Sequence, residues 1–136
     1  MAFRKDRIKE LGSESLRSVL APGEQEVVSL SVIAGPNPWL ALGLLGLIGQ
    51  LFTQYYYVAA TDRRVVFLGQ SRWSTKFKGL AFADPRTRGV VSDVKVGSVW
   101  SSFRYRRPDG KVLRLNVHRI WRSEMGPFLQ ALGASV

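Results

Sequence analysis

The chain has 136 residues, 46% apolar and 22% charged, enough apolar content for one folded core and the wrong composition for a disordered tail or a coiled coil. It has no Cys and a single His, His118, which excludes a disulfide framework, a thiolate metal centre and a His-rich zinc or iron site. The formal net charge of +10 is one-sided, because residues 1–60 carry five basic and five acidic side chains and residues 61–136 carry fifteen basic and five acidic; this predicts attraction to lipid headgroups or nucleic acid rather than a merely solubilising surface.

The first twenty residues lack the uninterrupted apolar stretch of a secretory signal, since Asp6, Glu10 and Glu14 break it. Phe3, Ile8, Leu11, Leu16, Val19 and Leu20 recur instead at spacings near three to five. That pattern predicts an amphipathic helix over 1–20, broken or weakened at Gly12 and stopped before Pro22-Gly23. Its polar face mixes both signs, which favours packing on the domain over lying on an anionic membrane.

After Glu24 the pattern becomes β. Val27, Val28, Leu30, Val32 and Ile33 predict a first strand, ended by Pro36-Asn37-Pro38. Trp39 to Phe52 follow, with Gln50 as their only polar side chain. Further strands are predicted at Tyr55–Thr61, Arg64–Gln70, Phe77–Phe82, Val90–Val96, Val99–Arg107 and Lys111–His118. Asp62-Arg63 forms one tight turn and Pro108-Asp109-Gly110 another. Along the last hairpin Phe103 and Tyr105 share a face, while Arg104, Arg106, Arg114 and His118 point the other way. Phe128, Leu129 and Leu132 predict a closing helix, begun between Ser123 and Pro127 because proline is tolerated only in a first turn.

Seven short strands closed by one helix predict a mainly β (α+β) fold, either two orthogonal antiparallel sheets or a split barrel. Helix 1–20 would pack on a domain spanning 21–136, with an apolar insertion, 36–54, between strands one and two.

Three pieces stand out in order: Leu20-Ala21-Pro22-Gly23-Glu24, Val58-Ala59-Ala60-Thr61-Asp62-Arg63-Arg64-Val65-Val66-Phe67, and Leu113-Arg114-Leu115-Asn116-Val117 followed by Phe128-Leu129-Gln130-Ala131-Leu132. In order and spacing they resemble the bacterial pleckstrin-homology-like (PH-like) domains, related in shape to GRAM and PH domains, over residues 20–133. The resemblance implies a seven-stranded barrel or sandwich with a capping helix, non-enzymatic, often membrane-associated and sometimes oligomeric. Thr61-Asp62-Arg63-Arg64 matches the family residue by residue, and a turn-forming role is implied for it. One departure is clear. Phosphoinositide-reading PH domains place spaced Lys and Arg between the first two strands, whereas residues 35–54 carry no charge, so inositol-phosphate binding by that route is not supported.

Catalytic chemistry has little to work with. A lone His without a neighbouring carboxylate makes a weak triad candidate. Glu24 and Glu26 are the only near pair of acids and too few oxygens for a divalent metal. Gly43, Gly46 and Gly49 match no dinucleotide or P-loop pattern. No enzyme activity, cofactor, metal or small-molecule substrate is expected. Trp100, Phe103 and Tyr105 interleave with Arg104, Arg106 and Arg107 as a nucleic-acid stacking platform would, but period two separates rings from cations.

The apolar segment weighs most. As a helix it would rise about 21 Å, or about 25 Å from Pro36, short of a ~30 Å hydrocarbon core. A single crossing is also excluded if the flanking strands share one barrel. A re-entrant or interfacial hairpin, a buried intramolecular helix and a partner interface remain. Trp39 at one end and Tyr55, Tyr56 and Tyr57 at the other resemble an interfacial aromatic belt.

The sequence therefore points to a binding module at a membrane surface or membrane-proximal complex, in the cytoplasm at the inner face of the membrane. Trp39, Leu40, Leu42, Leu44, Leu45, Leu47, Ile48, Leu51 and Phe52 would dock. Arg104, Arg106, Arg107, Lys111 and Arg114 would contact anionic phosphates. The alternatives are a soluble homo-oligomeric assembly protein using the same apolar segment, and a nucleic-acid binder.

Overall fold

The computed structural model describes residues 2–35, 54–70, 77–86 and 90–133. Helix α1 (Ala2–Arg17) leads into strands β1 (Glu26–Ala34), β2 (Gln54–Thr61), β3 (Arg64–Gln70), β4 (Phe77–Pro85), β5 (Val91–Lys95), β6 (Trp100–Arg106) and β7 (Val112–His118). A 3-10 turn at Arg119–Trp121 and helix α2 (Arg122–Ala131) follow.

The seven strands form one antiparallel sheet in the order β4-β3-β2-β1-β7-β6-β5, open between β4 and β5. Two separate sheets were one expectation. They are joined because β1 bonds β2 along its whole length and passes its last residues, Ile33 and Ala34, to Asn116 and Leu115 of β7.

The sheet curls strongly. Flat, β3 and β6 would stand about 19 Å apart, four strand spacings, yet the rings of Phe67 and Tyr105 are 5.2 Å apart. Leu30, Val32, Val58, Val65, Phe67, Phe103, Tyr105, Leu115 and Val117 fill the concave side. Helix α2 adds Met125, Phe128 and Leu129, with Phe128 6.1 Å from Phe103. Side chains close the open seam. Asp84 of β4 accepts hydrogen bonds from Tyr105 Oη at 2.8 Å and from the Arg107 guanidinium at 3.2 Å, and that guanidinium stacks 3.9 Å over Phe82.

In β2 and β3 the positions of opposite parity, Tyr57, Ala59, Val66 and Leu68, are buried as well, so this part of the sheet is covered on both faces. Helix α1 lies against the second face with Ile8 and Leu16 buried. It runs unbroken through Gly12, where a break or weakening was expected. A Cβ there would stand 2.4 Å from Cε2 of Tyr57, so the glycine is the contact point of the helix on the ring. Lys5 ties the two helices, pairing with Glu124 at 2.6 Å and lying 5.3 Å from the Trp121 ring centre.

Proline 127 also departs from expectation. It lies in the second turn of α2, not the first. Its side chain is exposed while Met125, Phe128 and Leu129 are buried, so the missing hydrogen bond falls where solvent-side bending is tolerated.

Candidate functional site

Two of the pieces singled out in the sequence meet at the start of β1. Glu24, its side chain fully buried, accepts from Thr61 Oγ1 at 2.6 Å, from Arg64 Nε at 2.9 Å and Nη2 at 2.9 Å, and from the Ala21 amide at 2.9 Å. The Arg64 hydrogen bonds hold its carboxyl down to about 2, against the opposing effect of burial. Thr61 Oγ1 accepts from the Arg63 and Arg64 amides and so forms the turn. Asp62, expected to serve that turn, reaches across to the Gln25 amide instead. This corner is a structural staple. No signal in the sequence marks it: the β1–β2 pairing sets Glu26 opposite Thr61 and brings Glu24 alongside.

A row of exposed cations stands on the convex side of β5, β6 and β7. The β6–β7 hairpin is set by Pro108-Asp109-Gly110: Asp109 Oδ1 accepts from the Lys111 amide at 2.9 Å, and the Gly110 amide donates to Arg107 O at 2.9 Å. Period-two alternation then turns Phe103, Tyr105, Leu115 and Val117 inward and leaves Arg104, Arg106 and Arg114 exposed. Arg104 stands directly opposite Arg114, and Arg106 opposite Val112. Lys95 on β5 pairs with Ser102, and Lys111 is exposed at the hairpin end. Among the described residues one carboxylate reaches this row: Asp93, 3.3 Å from Arg104 Nε. Asp93, Lys95, Ser102, Phe103, Arg104 and Arg114 line a cleft of about 30 Å³.

Of the five cations expected to contact anions, the structure thus sets Arg104, Arg106 and Arg114 on one face with Lys111 at its end. Arg107 is engaged inside the seam with Asp84, its side chain 24% exposed. Its parity with Phe103 and Tyr105 was the signal for that inward turn. The expected docking residues from Trp39 to Phe52 lie outside the described residues. Their flanks are defined. Ala34 pairs with Gln54, so the segment leaves and returns at one end of two adjacent strands. The Gly35 amide donates to Arg114 O at 3.0 Å, and Asn116 Nδ2 donates to Ile33 O at 2.9 Å and Gly35 O at 3.1 Å. The root of the apolar segment therefore adjoins the basic row.

His118 is engaged locally. Its Nδ1 accepts from the Ile120 amide at 3.3 Å and its ring meets Trp100 edge-on at 5.0 Å; burial, then the Arg119 charge, lower its pKa. A broader depression between the β2–β3 turn and the end of α2 is spanned by Arg86, which donates to Thr61 O and Ala131 O. Among the described residues no three His, Asp or Glu side chains are grouped to hold a metal, and no helix is long and apolar enough to cross a membrane. Comparison of the chain with protein-family models, with characterised proteins and with solved structures gives no match.

Proposed function

We propose that this protein is a non-enzymatic PH-like binding module that associates peripherally with an anionic membrane surface, in the cytoplasm at the inner face of the membrane. The observation that carries the reading is the hydrogen bond between Gly35 and Arg114, which sets the root of an uncharged apolar segment beside a row of exposed cations. Such a pairing suits a surface that offers hydrocarbon below and phosphate above. Apolar insertion supplies depth, and each nearby Lys or Arg adds about 1 kcal/mol at an anionic leaflet. The PH-like assignment is supported by the run of seven antiparallel strands ended by a helix and by the contact of Glu24 with Thr61 and Arg64, which unites two of the resembling motifs.

Flotation with phosphatidylcholine vesicles, with and without phosphatidylserine, tests this alongside size-exclusion chromatography. The protein is expected to float with the anionic vesicles and to lose that association in high salt. Failure to float, with a discrete oligomer in solution, would favour the assembly reading. Failure to float, with tight oligonucleotide binding, would favour the nucleic-acid reading.

A further inference from the structure

Arg104 and Arg114 face each other on adjacent strands, a like-charge pairing that costs stability when nothing lies between. Lys95 adds a third cation to the same cleft, and Asp93 is its single acid. Asp93 holds only Arg104, at 3.3 Å, with both side chains more than half exposed, so the pair is weak. Its backbone is unusual. Asp93 is the single described non-glycine residue with positive φ, at 51°, and it lies where the β5 register shifts between Ser92 and Lys95. An uncommon conformation thus aims a carboxylate at one of two guanidiniums that share a cleft.

We infer that this cleft receives one phosphate monoester headgroup of a membrane lipid, and that Asp93 is a built-in competitor which the headgroup displaces. The inference rests on the membrane reading above. A phosphodiester headgroup brings one negative charge and gains little by exchanging with a carboxylate on Arg104. A monoester brings a charge of about −1.5 to −2 and three acceptor oxygens, enough to bridge both arginines by charge-assisted hydrogen bonds. Asp93 thereby sets selectivity: it screens the arginines from singly charged groups and yields to doubly charged ones.

The test compares phosphatidylcholine vesicles containing phosphatidic acid with others containing phosphatidylserine, matched in zeta potential. The parent protein is expected to bind the phosphatidic acid vesicles about fivefold more tightly, the effect of one added charge contact. Asp93→Asn, which tolerates the same backbone, is expected to raise phosphatidylserine binding and narrow that ratio. Arg114→Gln is expected to abolish the ratio while residual binding to both vesicles persists, with thermal melting confirming that each variant is folded. Equal parent binding to the matched vesicles, unchanged in Asp93→Asn, would overturn the cleft and leave the membrane reading standing. Absence of binding to either vesicle would overturn both. Competition by soluble glycerol phosphate as effective as that by phosphatidic acid vesicles would overturn the lipid as the source of the phosphate.

Discussion

The amide of Gly35 donates to the carbonyl of Arg114 at 3.0 Å, which makes one backbone hydrogen bond the junction between the apolar segment and the basic face. Gly35 adopts φ of 141°, a region that side chains strain, so the chain can turn off β1 there only because the residue is glycine. Asn116, 1% exposed, clamps the same corner through Ile33 O and Gly35 O. The end of β1 at Gly35 is thus held by the strand that presents Arg114.

Asn116→Ala removes the clamp without changing charge. It removes the side-chain amide's hydrogen bonds to Ile33 O and Gly35 O, a loss of about 1–3 kcal/mol. Melting is expected to fall and flotation with anionic vesicles to weaken in the same variant. A variant that melts lower yet floats like the parent would show that the clamp serves stability alone.

Gly12→Ala separates local from tertiary effects. Helix propensity alone would reward alanine by about 1 kcal/mol. The added methyl, however, would meet three atoms of the Tyr57 ring at 2.4 to 2.7 Å, and that ring is fully buried against Phe77 and Trp121. Overpacking of this kind costs about 1–3 kcal/mol. The variant is expected to melt below the parent, and an increase in melting temperature would show that α1 can rise off the sheet freely.

The Glu24 staple gives a pH dependence with a definite sign. Its carboxyl is lowered from 4.5 to about 2 by the Arg64 hydrogen bonds. The folded state therefore binds its proton less readily than the unfolded chain, and stability rises with pH across that window. The contribution is complete above about pH 4.5 and is lost as pH falls toward 2. Denaturant titrations should show less of this acid slope in Glu24→Gln than in the parent. Arg64→Ala, which leaves the buried carboxylate without its counterion, is expected to cost about 3–5 kcal/mol near neutral pH.

Much of this architecture is legible in the sequence because it depends on neighbours. Branched residues, the Asp62-Arg63 turn and Pro108-Asp109-Gly110 mark all seven strands to within a few residues of their observed ends. Legibility fails where a distant partner decides. Gly12 reads as a helix breaker because the Tyr57 ring that requires it lies on another element. Arg107 reads as one of a run of surface cations until Asp84 is brought to it by the curl of the sheet. In β2 and β3 burial on both faces erases the alternation, so their buried runs carry no period from which to tell one face from the other.

Charge reversal at Arg104, Arg106 and Lys111 tests the basic face. All three side chains are exposed, so folding should be little affected. Removing three cations is expected to weaken binding to anionic vesicles by about 100-fold or more, at about 1 kcal/mol for each, and to leave neutral vesicles unaffected. Parent binding should itself weaken with salt, since screening acts beyond about 8 Å at physiological ionic strength. Equal binding by parent and variant would remove this face from the contact.

The apolar segment is tested by replacing Leu44, Leu47 and Ile48 together with Ser. Each side chain, if buried in any medium, contributes on the order of 1.5–3 kcal/mol, and the three environments place that loss differently. A membrane-inserted segment loses it on binding, so the variant should fold and melt like the parent but no longer float. An oligomer interface loses it on association, and the variant would elute as a smaller species with or without lipid. An intramolecular core loses it on folding, where several kcal/mol rivals the whole stability of a domain this size, and soluble expression would fail. The first result is expected, because the segment leaves and returns through paired residues, Ala34 and Gln54, beside exposed cations. A variant that folds, keeps its oligomeric state and still floats would overturn the docking role of the segment and leave the basic face as the sole contact.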